Sequence, residues 1–266
     1  LTYFKTGASG QGESAWRATQ SSGRRIAQLL CPSDQMTRSS TTSWPTSYRG
    51  CAGDMSYSLS SEAQYPYEAQ YMIASNGWST NGPPPTSTTR TQGTAPRSAI
   101  GVSLLKRITD GLSKTVLMGE AVIGDGSASR LSGVAQVEGY DWNVAPQDCL
   151  AATFAANTNI IGHRWTDQRA GQTWFYATLP PNGPRCHHHN ATTSQDAGVP
   201  VSSYHGSGAV VAMCDGAVRF IEESIDTNNS PNVNMNPVPT DWSKWPTRWG
   251  VWGAMATPAQ GDTYSY

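Results

Sequence analysis

The clearest alternation of apolar and polar positions lies at residues 208–222. Small and apolar residues run through Ala209-Val210-Val211-Ala212-Met213, then Asp215-Gly216, then Ala217-Val218-Arg219-Phe220-Ile221. This pattern predicts a β-hairpin, with Asp-Gly in a type I′ turn that needs positive φ at both central residues. A second patterned segment covers 101–123. Val102 to Ile108 reads as a short helix with Leu104, Leu105 and Ile108 on one face. Thr109-Asp110-Gly111 turns the chain, and Lys114 to Ile123 reads as a strand ended by Gly124-Asp125-Gly126. Shorter strands are expected around Cys51 within Tyr48–Leu59, at Val134–Trp142, around Thr153 and at Thr173–Thr178. Glu13 to Arg17 opens a first helix. Arg24 to Leu30 is a short amphipathic stretch that Pro32 should stop at Cys31. Between residues 60 and 98 the pattern is weak, and Pro83-Pro84-Pro85 excludes a central strand there. The expectation is one α+β domain over residues 1–266, dominated by antiparallel strands, with short helices and long Ser/Thr/Gly/Pro-rich loops.

Composition narrows the class. Across 266 residues, 18 Lys+Arg oppose 19 Asp+Glu, for a net charge of −1, and only 14% of residues are charged. No basic stripe exists to bind nucleic acid. No apolar run approaches the length of a membrane span, and no repeat of 20–50 residues is present. Ten Trp, 11 Tyr and 4 Phe supply large side chains to bury, which argues against a disordered chain. Hydroxyl residues carry the solubility that charge usually carries, and only 4 of the basic residues are Lys. That balance suits an extracellular or cell-surface protein.

Five cysteines, Cys31, Cys51, Cys149, Cys186 and Cys214, have neither CxxC nor zinc-finger spacing. In an oxidising compartment they suggest two disulfides and one buried thiol, for which Cys214 in its apolar run is the candidate. Cys31 with Cys51 and Cys149 with Cys186 are nearest in sequence, although four cysteines allow three pairings. Asn190-Ala191-Thr192 and Asn228-Asn229-Ser230 are N-glycosylation sequons, so glycans are candidate partners.

Three residue groupings have the types that catalysis or metal binding would need. His187-His188-His189, with His205 and Asp215, has the right residue types for a transition-metal site, but neighbouring strand residues face opposite ways. His205-Gly206-Ser207-Gly208 lacks the strand–turn–helix context of a nucleophile elbow. Glu120, Glu138, Asp141 and Asp148 cannot be paired for sugar cleavage from spacing alone. No cofactor is expected, and no catalytic residue. Four tryptophans from Trp242 to Trp252 serve either core packing or contacts between subunits.

Four short segments together resemble one bacterial family. His205, nine residues, then Asp215-Gly216 is similar to its H-X9-DG hallmark. Leu30-Cys31-Pro32-Ser33-Asp34 resembles its LCPSD box. Ile108 to Glu120, containing Asp110-Gly111, resembles a third box, with Lys114 where Asn is usual. Trp249 to Ala254 with Gly261-Asp262 resembles the closing segment. The family is domain of unknown function 1559, also catalogued as solute-binding-protein-like. The resemblance implies a pseudopilin-like extracytoplasmic head and places Cys31, Pro32, Asp34, Asp110, Gly111, Glu120, His205, Asp215 and Gly216 in structural roles. Glu120 is expected to pair with Arg107 or Arg219, and His205 to bond across the hairpin. Members usually begin with a hydrophobic helix, which residues 1–30 do not contain. The helix is therefore cleaved, lies outside this sequence, or is replaced by assembly through the head. The functional expectation is a structural, non-enzymatic subunit that packs against copies of itself in a filament. An extracytoplasmic ligand- or glycan-binding module is the alternative.

Overall fold

A computed structural model describes residues 25–34, 44–51, 53, 108–137, 146–155, 161–165, 170–188, 197–228, 247 and 249–257. Its largest unit is a five-stranded sheet of β1 (Tyr48–Cys51), β2 (Val116–Glu120), β4 (Trp174–Phe175), β7 (Gly208–Met213) and β8 (Val218–Glu222), in spatial order β4-β1-β2-β7-β8. All neighbours are antiparallel except β1 and β4. A smaller sheet orders β3 (Ala135–Val137), β5 (Cys186–His188) and β6 (Ala197–Gly198), with β3 parallel to β5 and β6 antiparallel to it. Helices are short: α1 (Pro146–Ala151), α2 (Ala170–Thr173) and α3 (Gly250–Ala256). This is the expected mixed α+β fold with mostly antiparallel strands.

The sheet's inner face shows why β7 holds its register. Ala209, Val211 and Met213 are buried while Val210 and Ala212 are not. A slip by one residue would move that whole set to the other face. The inner residues pack with Val116, Phe175, Ile221 and the α3 residues Trp252, Met255 and Ala256. Trp252 stacks on Phe175 with ring centroids 6.1 Å apart, and its indole N–H donates to Leu179 O at 3.0 Å. A fully buried indole needs such a partner. Trp249 and Trp252 therefore belong to intrachain packing, whereas Trp242 and Trp245 lie outside the described residues.

The hairpin is present, but its turn differs from the expected type. Gly216 N–H donates to Met213 O at 3.0 Å, and Met213 N–H donates to Ala217 O at 2.8 Å. Gly216 has φ +88°, while Asp215 is not among the positive-φ residues. This is a three-residue loop closed by a left-handed glycine, the next commonest hairpin connection. Asp215 accepts the Ala217 N–H at 2.9 Å, so its side chain caps the turn.

Other boundaries moved as well. The strand expected over Lys114–Ile123 is confined to β2; of that over Val134–Trp142, β3 forms, and residues 138–142 lie outside the described residues. Among the described residues around Thr153, 152–155, no strand forms; α1 precedes them, opened by Pro146, whose missing N–H costs nothing at a helix start. Residues 173–178 yield only β4, after α2. Of the stretch expected over Arg24–Leu30, the described residues 25–30 contain one 3-10 turn, Ala27–Leu29, which does stop before Cys31. The expected helix at Glu13–Arg17, nearly all of that at Val102–Ile108, and the region 60–98 lie outside the described residues.

Cys149 on α1 and Cys186 on β5 form a disulfide. The expected Cys31–Cys51 bridge does not form. Cys51 is sealed in the core beside Ala256, whereas Cys31 faces His205. Cys214 is also outside any disulfide, but it is half-buried rather than buried because it falls in the hairpin loop, not the strand.

Candidate functional site

Three chain segments converge at the end of β2. The 3-10 turn is tied to β1 by Ser47 N–H donating to Leu29 O at 2.8 Å, and Ser47 O accepts Ala121 N–H at 2.8 Å. Asp34 then accepts Ile123 N–H at 2.7 Å. On the other side, Ser202 N–H donates to Glu120 O at 2.9 Å and the Ser202 hydroxyl accepts Val122 N–H at 3.0 Å. These bonds bring Cys31, Glu120 and His205 to one place, although Cys31 and His205 are 174 residues apart in sequence.

The His205 Nε2 atom lies 3.2 Å from Glu120 Oε1 and 3.5 Å from Cys31 Sγ. One sulfur, one carboxylate oxygen and one imidazole nitrogen all lie within 4.8 Å of one another. Cys31 and Glu120 are buried, while the His205 side chain is 40% exposed. The second oxygen of Glu120 accepts Val210 N–H at 3.3 Å, which fixes the carboxylate against β7. Burial pushes the Cys31 thiol above its ordinary pKa, and the Glu120 carboxylate adds to the effect. Tyr48, paired with Glu120 in the β1–β2 register, is raised first by burial and then by Cys31 and Glu120. A small open cleft beside these groups is lined by Asp34, Ser47, Ser202, Ser203 and Tyr204, and Tyr204 is 49% exposed.

The loop carrying His205 is held by Asn182. Its amide N–H groups donate to Gly206 O at 3.0 Å, Gly208 O at 3.2 Å and Glu223 Oε1 at 2.8 Å, and its Oδ1 accepts Ser203 N–H at 2.7 Å. Asn182 sits at φ +58°, a conformation Asn tolerates better than other side-chain-bearing residues. Composition gave no reason to single out Asn182, Ser47, Ser202 or Tyr204. Only the Pro181-Asn182-Gly183 turn signal marks one of them.

The expected motif residues divide into two groups. Cys31, Asp34, Glu120 and His205 meet at the cleft. Asp110, Gly111, Asp215 and Gly216 sit where two turns touch: Cys214 N–H donates to Thr115 O at 2.8 Å and Asp215 N–H to Leu112 O at 3.2 Å. Glu120 meets His205 and Val210 rather than Arg219, which lies on β8, beyond β7 from Glu120. Arg107 is outside the described residues. His205 correspondingly bonds away from the hairpin, toward β2 and Cys31.

Among the described residues the histidine-run grouping is not assembled. His187 is buried in the smaller sheet, paired with Gln136 and Ala197, and Asp215 is committed to its own turn. The side chain of His188 and all of His189 lie outside the described residues, as do Glu138, Asp141 and Asn190. Asn228 is exposed, with φ +55°. Among the described residues no helix is long and apolar enough to cross a membrane.

A family model described as SBP_bac_10, protein of unknown function (DUF1559), matches residues 3–228. No curated protein and no solved structure matches the chain.

Proposed function

Because the chain belongs to the DUF1559 family, whose function is unknown, we propose that it is a non-catalytic structural subunit of an extracellular or cell-surface assembly, packing against copies of itself in a pilin-like filament. The observation that carries this reading is the outer face of the five-stranded sheet. Met118, Ala212 and Val218 lie in one row across β2, β7 and β8, and Val210 and Phe220 form the next row. Val218 is 69% exposed, Phe220 46% and Met118 36%. Their row-mates Ala212 and Val210 are half-buried. Isolated exposed apolar residues need no explanation, but a contiguous set on one sheet face does. The set also borders β8, an edge of the sheet as described. An edge strand carries unpaired backbone groups that a second chain can meet. Low charge supports the same reading, since neutral surfaces pack on copies of themselves without repulsion or much desolvation of ions.

Sedimentation velocity and negative-stain microscopy of native protein test the proposal. Assemblies should form in the wild type and dissociate in Phe220→Asp and Val218→Asp, with unchanged circular dichroism. A wild-type chain that stays monomeric at high concentration overturns it.

A further inference from the structure

We propose that Cys31, Glu120 and His205 form a binding site for a divalent transition-metal ion of the zinc class. The geometry is the first argument. Two ligands bonded to one tetrahedral ion at about 2.0–2.3 Å stand roughly 3.3–3.7 Å apart. The separations of 3.2 Å from Nε2 to Oε1 and 3.5 Å from Nε2 to Sγ are close to such edges. The third pair also lies within 4.8 Å.

The second argument is which atoms face each other. A thiol nucleophile with a histidine base and a carboxylate orienter needs the thiol on one ring nitrogen and the carboxylate on the other. Here both address the same Nε2 atom. Convergence on one nitrogen serves a shared cation, not a relay.

Charge and donor type then define the ion. On binding, the Cys31 S–H bond breaks, its proton goes to solvent and a sulfur–metal bond forms, with no change of oxidation state. Thiolate and carboxylate together balance a dication, so the buried part of the site becomes neutral. A sulfur–nitrogen–oxygen set suits zinc, cobalt or copper, whereas calcium and magnesium take oxygen ligands. The bond from Val210 N–H to the other Glu120 oxygen keeps Oε1 turned toward His205, the orienting role expected of an outer-shell partner. The exposed side of His205 leaves a fourth position open to water. Such an ion would clamp the Cys31 segment, β2 and the His205 loop together. This holds whether or not the subunits assemble.

The test is Co(II) titration of the full chain under anaerobic conditions without added reductant, which keeps the Cys149–Cys186 bridge intact. One equivalent should bind, giving a thiolate-to-cobalt charge-transfer band and the intense visible bands of four-coordinate cobalt. Zn(II) should displace it. Cys31→Ser should lose the charge-transfer band. His205→Ala, altered at a half-exposed side chain and checked for folding by circular dichroism, should bind at least about tenfold more weakly, since even outer-shell partners cost about 10–100-fold. Cys214→Ser should behave as wild type. Absence of the band in the wild type, its persistence in Cys31→Ser, or unchanged affinity in folded His205→Ala would each overturn the site.

Discussion

Arg49 and Arg185 donate to the same carbonyl oxygen, that of Val122, at 3.4 Å and 2.6 Å. Both are fully buried, and each retains two buried side-chain nitrogens with no hydrogen-bond partner among the described residues. Burial pushes Arg185 down to about 10, and it lowers Arg49 well below its ordinary value, with the Arg185 charge as the next cause. A base whose folded pKa is lowered disfavours folding at pH values below it, because the unfolded chain holds the proton more readily. Arg185→Met should therefore be neutral or stabilising by about 1–2 kcal/mol at neutral pH, as when buried charges give way to apolar residues of similar volume. Urea denaturation measures it, and a loss beyond 2 kcal/mol would show that the guanidinium is a net support.

Gly119 on β2 faces the side chains of Val201, Val211 and Phe175. A Cβ built there would lie 2.4 Å from Val201 Cγ1, 3.3 Å from Val211 Cγ1 and 3.4 Å from Phe175 Cε1. Gly119→Ala should destabilise by about 1–3 kcal/mol through overpacking. Adding Val201→Ala removes the nearest atom, so the double variant should lose less than the sum of the singles. A double-mutant cycle by thermal or urea unfolding reads that coupling.

Asn182→Ala removes four hydrogen bonds to the 203–208 loop and Glu223 and places a Cβ-bearing residue without a polar side chain at φ +58°. The expected cost is about 2 kcal/mol, with faster amide exchange at Ser203 and His205. Asn182→Gly keeps the backbone freedom and should show the faster exchange with a smaller loss of stability.

How far these features were legible depends on their length along the chain. The 208–222 hairpin announced itself because five or six residues suffice to show a period of two. β4 and β6, at two residues each, carry no period at all and exist through pairing with distant strands. The hairpin's turn type is not legible locally, because Asp-Gly suits two loops and strand register chooses between them. At the site, Cys31, Glu120 and His205 were each recognisable within a short motif, but nothing local states that Cys31 meets a residue 174 positions away. At His187–His189 adjacency was no argument for a shared site, since neighbouring strand residues face opposite ways, and a strand buries His187. Cys31 and Cys51, near in sequence, were likewise separated by the sheet, one in the core and one at the cleft.

Asp125 closes the turn after β2 by accepting Ser127 N–H at 2.8 Å and the Ser132 hydroxyl at 3.0 Å. Burial opposes its ionisation, but these Ser127 and Ser132 hydrogen bonds prevail and hold its carboxyl below the ordinary 3.8. A depressed folded pKa contributes stability that is present above the unfolded value and lost as pH falls through the folded one. Asp125→Ala should cost about 1 kcal/mol at neutral pH. It should also flatten the fall in stability below about pH 4, the ordinary range for Asp. Equal slopes for wild type and variant across that acid window would contradict the assignment.

The Cys149–Cys186 bridge joins α1 to β5 across a sequence separation of 37. On either side of it lie a six-residue helix and a three-residue strand, neither long enough to be stable by itself. Cross-linking a loop of this size restricts the unfolded chain by about 4 kcal/mol in the loop-entropy description. The bridge also packs with Ala135, Val137 and Leu179, so the smaller sheet depends on it. Reductant should therefore lower the melting temperature of the wild type and of Cys214→Ser alike. Cys149→Ser should begin at the lower value and stay there. Amide exchange should locate the loss in β3, β5 and α1, while β2, β7 and β8 keep their protection, because their core residues form a separate cluster. If reductant leaves wild-type melting unchanged, the smaller sheet is held by packing alone. If protection collapses equally in both sheets, they unfold as one unit.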